Sequence, residues 1–418
     1  ITLLMETKLA EGTKLGDVMK LEGRQCYQKN RNQHGGGVAL LTKLHTPLQL
    51  RPDLQHDDME IIVSELHRKG KKNALIIGAY LPPRSGEAHK TFLARLKKIA
   101  VDSGRPVMFG TIATRQGIDP HPWQSQMQYL DDTVAAGGRV YGQTTTKPII
   151  ALFSVKSYLP FDNLPIWHEL RHLPISEQWR RFADPDTRRA LVAAEAGMKP
   201  RDNTFQGGGA ATTDPKKPDY SNLFALKGVD WDDPSVDELA QQRNQHPVEV
   251  MLDLMIENED QLFVQPLVNE TPDDVLGMLR HPRTLATFSD SGAHVCQEMG
   301  SSLQTHLMSY WVRKREMFSL EEAVRMVTFD NASAFELTNR GLLRPGYQAD
   351  IVVFDEATIK PRLPTVESDL PGGSRRLVQK ADGIAATVVN GVPTFLHGES
   401  TGNYPGEVLR GFRQSSDQ

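Results

Sequence analysis

The stretch Leu285-Ala-Thr-Phe-Ser-Asp-Ser-Gly-Ala-His-Val295 frames how the chain is read. Leu285 to Phe288 is an apolar run that reads as a buried strand. An acid placed straight after such a strand stands at its C-terminal end, where α/β enzymes hold their catalysts. Asp290 is that acid. The same residues are also good turn chemistry, because Asp and Ser bond their own backbone and Gly tolerates positive φ. On these residues alone the two readings stay open.

Working outward, the pattern alternates on both sides of this strand. Pro106 to Ala113 reads as a strand, Met127 to Ala136 as a helix closed by Gly137-Gly138, and Arg139 to Gln143 as a strand again. Val248 to Ile256 then reads as helix, Gln261 to Leu267 as strand, Asp273 to Arg280 as helix, and Leu285 to Ser289 as strand. Repeated βα units argue for a parallel sheet or barrel. Between them, 150 to 235 reads as a long irregular stretch with a helical passage near 175 to 196. Ser319-Leu-Glu-Glu322 is a capping box, and Asn331 is placed to cap the helix after it. Beyond Gly346 the chain reads as β. Before residue 96 it reads as strands: Ile1 to Met5, Gly37 to Leu41, Ile61 to Leu66 and Ala74 to Tyr80.

Composition bounds the function classes. The chain has 418 residues, 39% hydrophobic and 24% charged, enough to bury a core in most of its length. A formal net charge of −4 gives no reason to expect nucleic acid or an anionic membrane as partner. Two cysteines, Cys26 and Cys296, make no metal spacing and suit a reducing cytoplasm. No apolar run approaches a membrane span, and the start lacks the basic region of a signal peptide. Beginning at Ile1 inside a strand-like run, the chain reads as a fragment or mature piece.

Five separated motifs then carry a resemblance: LKKIAVDSGRPVMF (96–109), SDSGAHV (289–295), NRGLLRPGYQADIVVFD (339–355), DLPGGSRRLVQKADGIAATVVNGVPTF (369–395) and ESTGNYPGEVLRG (399–411). In this order they resemble the C-terminal part of the N-acyl-D-amino-acid deacylases of the amidohydrolase superfamily. The resemblance implies a metal-dependent hydrolase of the amide in an N-acyl amino acid, built as a (β/α)8 barrel with a small β-domain. It places Asp290 as the acid that takes a proton from metal-bound water and passes it to the leaving nitrogen, with zinc as the expected metal. His294, four residues on, is the candidate for lining the substrate at the same mouth. Gln143 is a further candidate for facing that mouth. The family's His-x-His has no counterpart in this sequence. Zinc catalysis needs about three protein ligands, so the expected metal site is incomplete and activity is in question.

Three further motifs, LLMETKL (3–9), GGGVALL (35–41) and ALIIGAYLPPRSGE (74–87), resemble the endonuclease/exonuclease/phosphatase domain of retrotransposon type. That resemblance implies Mg²⁺ at Glu6, with Tyr80 near the scissile phosphate. The domain's remaining catalytic groups are absent, so Glu6 is expected only as a remnant. The expected fold class is therefore α/β: a partial α/β-sandwich fragment over 1–96, a partial amidohydrolase barrel over 97–345 with an insertion at 150–235, and a small β-domain with tail over 346–418. The chain reads as a truncated chimera, and its cut sheets predict self-association through open edges. The alternatives are an endonuclease-like nucleic-acid module and a non-catalytic product.

Overall fold

The structure is a computed structural model, and it describes residues 2–5, 24–29, 38–43, 48–50, 60–66, 74–80, 87–114, 122–199, 217–230, 232–289 and 301–409. The chain divides into two units, Ile1–Leu93 and Ala94–Gln418.

The first unit holds two antiparallel sheets. Strands β1 (Thr2–Met5), β2 (Arg24–Lys29) and β3 (Val38–Lys43) lie in the order β1-β3-β2, with Leu3 and Tyr27 both opposite Leu40. Strands β4 (Leu48–Leu50), β5 (Glu60–Leu66) and β6 (Ala74–Tyr80) lie in chain order, with Glu60 opposite Tyr80. The four apolar runs read from sequence coincide with β1, β3, β5 and β6. Strand β2 (RQCYQK) carries no apolar run and gave no such signal.

Helix α1 (Glu87–Ser103) crosses from the first unit into the second, where it leads into β7 (Pro106–Gly110). The helix α2 (Pro122–Ala135) then connects β7 to β8 (Arg139–Thr144). Met127 and Leu130 turn inward from α2, and Gly137, at φ 83°, ends it by taking a conformation an L side chain resists.

Strands β9 (Ile149–Phe153), β10 (Phe224–Leu226), β11 (Leu262–Val268) and β12 (Thr284–Ala286) complete the central sheets. β7, β8 and β12 form a parallel sheet in the order β12-β8-β7, with Gly110 opposite Gln143 and Thr284 opposite Gly142. The sequence expectation of a fourth parallel strand at Gln261–Leu267 is corrected here. β11 pairs antiparallel with β10 on one side and β9 on the other. Its first five residues are all buried. A continuous apolar run specifies that both faces are covered, but not the direction of its neighbours. Pro266 lacks an N–H to donate, and the register with β9 shifts just after it.

The stretch 150 to 235 is also more regular than its sequence suggests. Besides β9 and β10 it contains α3 (Pro165–Arg171), α4 (Ile175–Ala183) and α5 (Pro185–Ala196). With α6 (Val236–Arg243) and α7 (Pro247–Glu257) these surround a large core in which Trp167 packs between Phe161 and Phe182, ring centroids 4.6 and 6.0 Å away. Phe161 enters that core from a loop, so no helical or strand period announces it.

Helix α8 (Pro272–Leu279) precedes β12, and α9 (Leu303–His306) runs directly into a π-helix, Leu307–Lys314. Helices α10 (Leu320–Val327) and α11 (Phe329–Ala334) follow. The Ser319 capping box is present on α10. Asn331 lies inside α11 rather than capping it, because that helix starts at Phe329 with Thr328 in the cap position. Trp311, Leu307, Val275 and Ala323 form a second core with Ile359.

Apart from a 3-10 turn at Pro371–Gly373, the C-terminal part is built of strands: β13 (Ile351–Phe354), β14 (Lys360–Pro361), β15 (Thr365–Glu367), β16 (Arg376–Val378), β17 (Ala381–Asp382), β18 (Ile384–Val389), β19 (Val392–Leu396) and β20 (Glu399–Ser400). β13, β18, β19 and β20 form an antiparallel sheet in that order. Asn390-Gly391, both at positive φ, make the tight hairpin between β18 and β19. No helix among the described residues is long and apolar enough to cross a membrane.

Candidate active site

Strand β8 runs out into Thr144, Thr145 and Thr146, and these organise the described part of the mouth. Thr144 Oγ1 donates to the Ile112 carbonyl beyond β7 at 3.2 Å. Its carbonyl accepts the N–H groups of Thr287 and Phe288 beyond β12, each at 3.3 Å. Gln143 Nε2 donates to Thr287 Oγ1 at 2.9 Å. The ends of all three parallel strands are thereby tied together by polar groups.

Asn269 brings the end of β11 to the same place. Its N–H donates to the Thr114 carbonyl and its Oδ1 accepts the Thr114 N–H, both at 2.9 Å. Its Nδ2 donates to Thr145 Oγ1 at 3.1 Å. Asn269 is fully buried and holds φ 61°, a conformation that a short polar side chain tolerates better than most. So β11, although it belongs to a different sheet, delivers its carboxyl end beside those of β7 and β8.

Thr146 carries the arrangement on to α9 and the π-helix. Its Oγ1 donates to the Leu303 carbonyl, and its own carbonyl accepts from Trp311 Nε1, both at 2.7 Å. His306 is buried beside them, its ring stacked on Tyr310 with centroids 5.0 Å apart. Burial, and next the Lys147 charge, push its pKa well below the ordinary histidine range, while a bond with the Thr146 backbone acts the other way. The imidazole is therefore neutral at pH 7.

Asp290 and His294 lie outside the described residues, as does Glu6. Tyr80 closes β6. His281 bonds Asp131 at 3.2 Å, and the exposed rings of His168 and His172 lie 4.3 Å apart on and just beyond α3. Asn269, Thr145, Thr146 and His306 were missed from sequence. Each reads locally as a turn residue or an ordinary helix residue, and its partner lies on a distant element.

Among the described residues no three of His, Cys, Asp or Glu come together as a metal site. The described mouth offers hydroxyls and amides where zinc takes imidazole, thiolate or carboxylate. These residues do not fit a zinc centre.

Comparison with known proteins matches residues 208–395 to the amidohydrolase family. The chain is 31% identical over 194 residues to N-acyl-D-aspartate deacylase of Alcaligenes xylosoxydans xylosoxydans, covering 46% of this chain and 32% of that one. It is 33% identical over 129 residues to D-aminoacylase of the same organism, covering 31% of this chain and 22% of the relative. It thus spans about a third or less of the length of the curated relatives it matches. Solved structures of D-aminoacylase and of N-acyl-D-glutamate deacylase from Bordetella bronchiseptica align with TM-scores of 0.42 and 0.40, at 17% and 14% identity. The alignments cover 77% and 75% of this chain and 53% and 51% of those chains. The segment 208–395, from ahead of β10 into β19, is similar to the amidohydrolase family, and the curated relatives it matches are of the D-aminoacylase kind.

Proposed function

We propose that this chain is a hydrolase-like protein for carbon–nitrogen bonds other than peptide bonds, of the N-acyl-D-amino-acid deacylase kind, with an N-acyl amino acid as its small-molecule ligand. The observation that carries this is the amidohydrolase match over 208–395, a segment that includes Asp290 and His294. In this reading Asp290 is the proton-transfer carboxylate: it takes a proton from the attacking water and returns it to the leaving nitrogen. His294 faces the ligand beside it. The backbone bonds from Thr287 and Phe288 to Thr144 support this placement, since they fix the direction in which the chain leaves β12 just ahead of Asp290.

The solved N-acyl-D-glutamate deacylase was complexed with zinc. Zinc is the metal this reading assigns to the family, and when bound it would acidify the attacking water. The described residues supply no ligand set for it. The chain alone should therefore bind N-acetyl-D-leucine or N-acetyl-D-aspartate, hold less than one zinc per chain, and release free amino acid at the background rate. Metal analysis and amine release by the purified full chain, with and without added Zn²⁺, check this. Stoichiometric zinc with turnover lost in Asp290→Asn would show a complete site. Failure to bind any acylated amino acid would remove the deacylase reading.

A further inference from the structure

The run His168-Glu-Leu-Arg-His172 closes helix α3, with His172 in the C-cap position and still in helical conformation at φ −87° and ψ −9°. Two residues four apart lie one turn from each other on the same face of a helix. Trp167 and Leu170 are the residues that α3 buries, while His168, Glu169 and His172 are exposed. The two imidazole centroids are 4.3 Å apart, with an angle of 46° between the ring planes.

The backbone beneath the pair is held from several directions. Trp167 packs between Phe161 and Phe182. Arg171 Nε donates to Asp162 Oδ1 at 3.0 Å, and its two terminal nitrogens donate to the Gln178 side chain and the Val155 carbonyl. Donors carried on a packed helix keep their spacing better than donors on a loop.

His172 is also set in one tautomer. Its Nδ1 lies 2.7 Å from the His168 carbonyl, and a carbonyl only accepts, so Nδ1 carries the proton. In the neutral ring the lone pair is then on Nε2. A ring N–H bonded to a backbone carbonyl is a common orienting contact behind a histidine that ligates a metal. The His168 ring is exposed and can turn a nitrogen toward the same cation.

The ring separation selects the kind of metal. A cation about 2.0–2.1 Å from one nitrogen of each ring stands about 3.2 Å from each centroid. Two imidazoles at a right angle then have centroids about 4.5 Å apart, and at a tetrahedral angle about 5.2 Å. The observed 4.3 Å is nearer the right angle. Copper(II) and nickel(II) take nitrogen ligands at right angles, zinc takes them tetrahedrally, and copper(II) heads the order of affinities. The same His-Glu-x-x-His spacing occurs on a helix of metalloproteases, with the glutamate as general base. Such centres have about three protein ligands, and among the described residues no third His, Cys, Asp or Glu joins this pair. The arrangement is that of a binding site, not of a hydrolytic centre.

We propose that His168 and His172 chelate one divalent cation of the copper(II) or nickel(II) kind on the outer face of α3, through His172 Nε2 and one nitrogen of His168, with water in the remaining positions. The site is independent of the deacylase reading, which rests on Asp290.

The test uses the full chain with CuCl2, NiCl2 and ZnCl2 as separate probes, read by isothermal titration and, for copper, by electron paramagnetic resonance. Wild type should bind one more Cu²⁺ per chain than the double variant His168→Gln with His172→Gln, and its spectrum should show a tetragonal centre with two nitrogen ligands that the double variant lacks. Either single change should weaken this site about tenfold or more. Glu169→Gln should leave it unchanged. Nickel should bind the same site less tightly than copper, and zinc less tightly than nickel. The three positions are exposed, and unchanged circular dichroism and melting show that each variant is folded. Equal copper stoichiometry in wild type and the double variant, full affinity in either single variant, loss of the site in Glu169→Gln, or zinc bound more tightly than nickel overturns the proposal. No turnover is measured, so an absence of deacylation leaves this result standing, and a failure here leaves the deacylase reading standing.

Discussion

Asn269 uses each of its backbone and side-chain donors and its Oδ1 to join three strand ends from a buried, left-handed position. Asn269→Ala removes the partner of the Thr114 N–H and places a residue without a side-chain bond at φ 61°. The first effect costs about 1–3 kcal/mol and the second about 1–2 kcal/mol. Urea unfolding should show a loss of about 2–4 kcal/mol, and Asn269→Gly, which relieves the backbone cost, should lose less. A loss under about 0.5 kcal/mol for the alanine variant would mean the stitch does not hold the mouth together. His306 gives a pH test. Its folded pKa is depressed by burial first and by Lys147 next, with Lys314 adding in the same direction. The unfolded chain therefore binds the proton more readily. The stability from the neutral ring is present in full above about pH 6.5, the unfolded value, and is lost as pH falls toward the folded pKa. Wild type should lose up to about 1.4 kcal/mol per pH unit below pH 6.5 through this group, and His306→Gln should lack that component. Parallel urea titrations at pH 7.5 and 5.5 read the difference, and equal slopes in both proteins would contradict it. The reading of Asp290 rests on an acid after an apolar run, a local signal that the stretch Leu285–Val295 carries by itself. Asn269 and Thr114 are 155 positions apart, and Trp311 and Thr146 are 165 apart, so neither pair leaves a local trace.

The start of α10 was readable because its cap is a hydroxyl residue with an acid three positions on, whereas the same pattern at Ser235 and Glu238 on α6 was passed over. In α10 the Ser319 N–H donates to Glu322 Oε2 at 2.8 Å and the Glu322 N–H donates back to Ser319 Oγ at 3.2 Å. Ser319→Ala should cost about 1 kcal/mol, seen as a small fall in Tm. The equivalent box on α7 escaped because His246 fills the cap position, where an imidazole is not an expected acceptor. Strand partners were unreadable for a different reason. The run LFVQPLV in β11 is apolar on both faces, and the direction of its neighbours is set by where β9 and β10 arrive in space. Gly277 in α8 shows how packing reverses a propensity argument. On propensity alone Gly277→Ala gains about 1 kcal/mol. A Cβ at that position would stand 2.6 Å from a ring carbon of Trp123. The indole cannot swing away freely, because its Nε1 donates to Asp274 Oδ1 at 3.0 Å. Overpacking should win, with a net loss of about 1–3 kcal/mol by thermal or urea unfolding. A rise in Tm would show that the ring yields.

For the whole molecule, the C-terminal sheet bears on its behaviour in solution. Cross-strand partners share a face. Val352, Thr387 and Phe395 form a row on one side of the sheet, and Val353, Ala386 and Leu396 a row on the other. Val352 and Phe395 are 53% and 46% exposed, and Val353 and Leu396 are 50% and 45% exposed. A sheet normally buries at least one face under a second layer, and neither face of this one is closed over these rows. Covering on the order of 200 Å² of such surface contributes about 5 kcal/mol at 25 cal/mol per Å². Association itself costs an estimated 4–15 kcal/mol in lost freedom. The two magnitudes are close, which favours weak, concentration-dependent self-association over an obligate oligomer. Light scattering across a hundredfold concentration range should therefore give a mass rising above the 46.7 kDa of one chain. The double change Val353→Thr with Leu396→Thr should hold the mass nearer the monomer if that face makes the contact, and Val352→Thr with Phe395→Thr should do so if the opposite face does. A mass fixed at 46.7 kDa at every concentration would mean that both rows remain in water without a partner, and that the sheet's stability comes from its hairpin and backbone ladder alone.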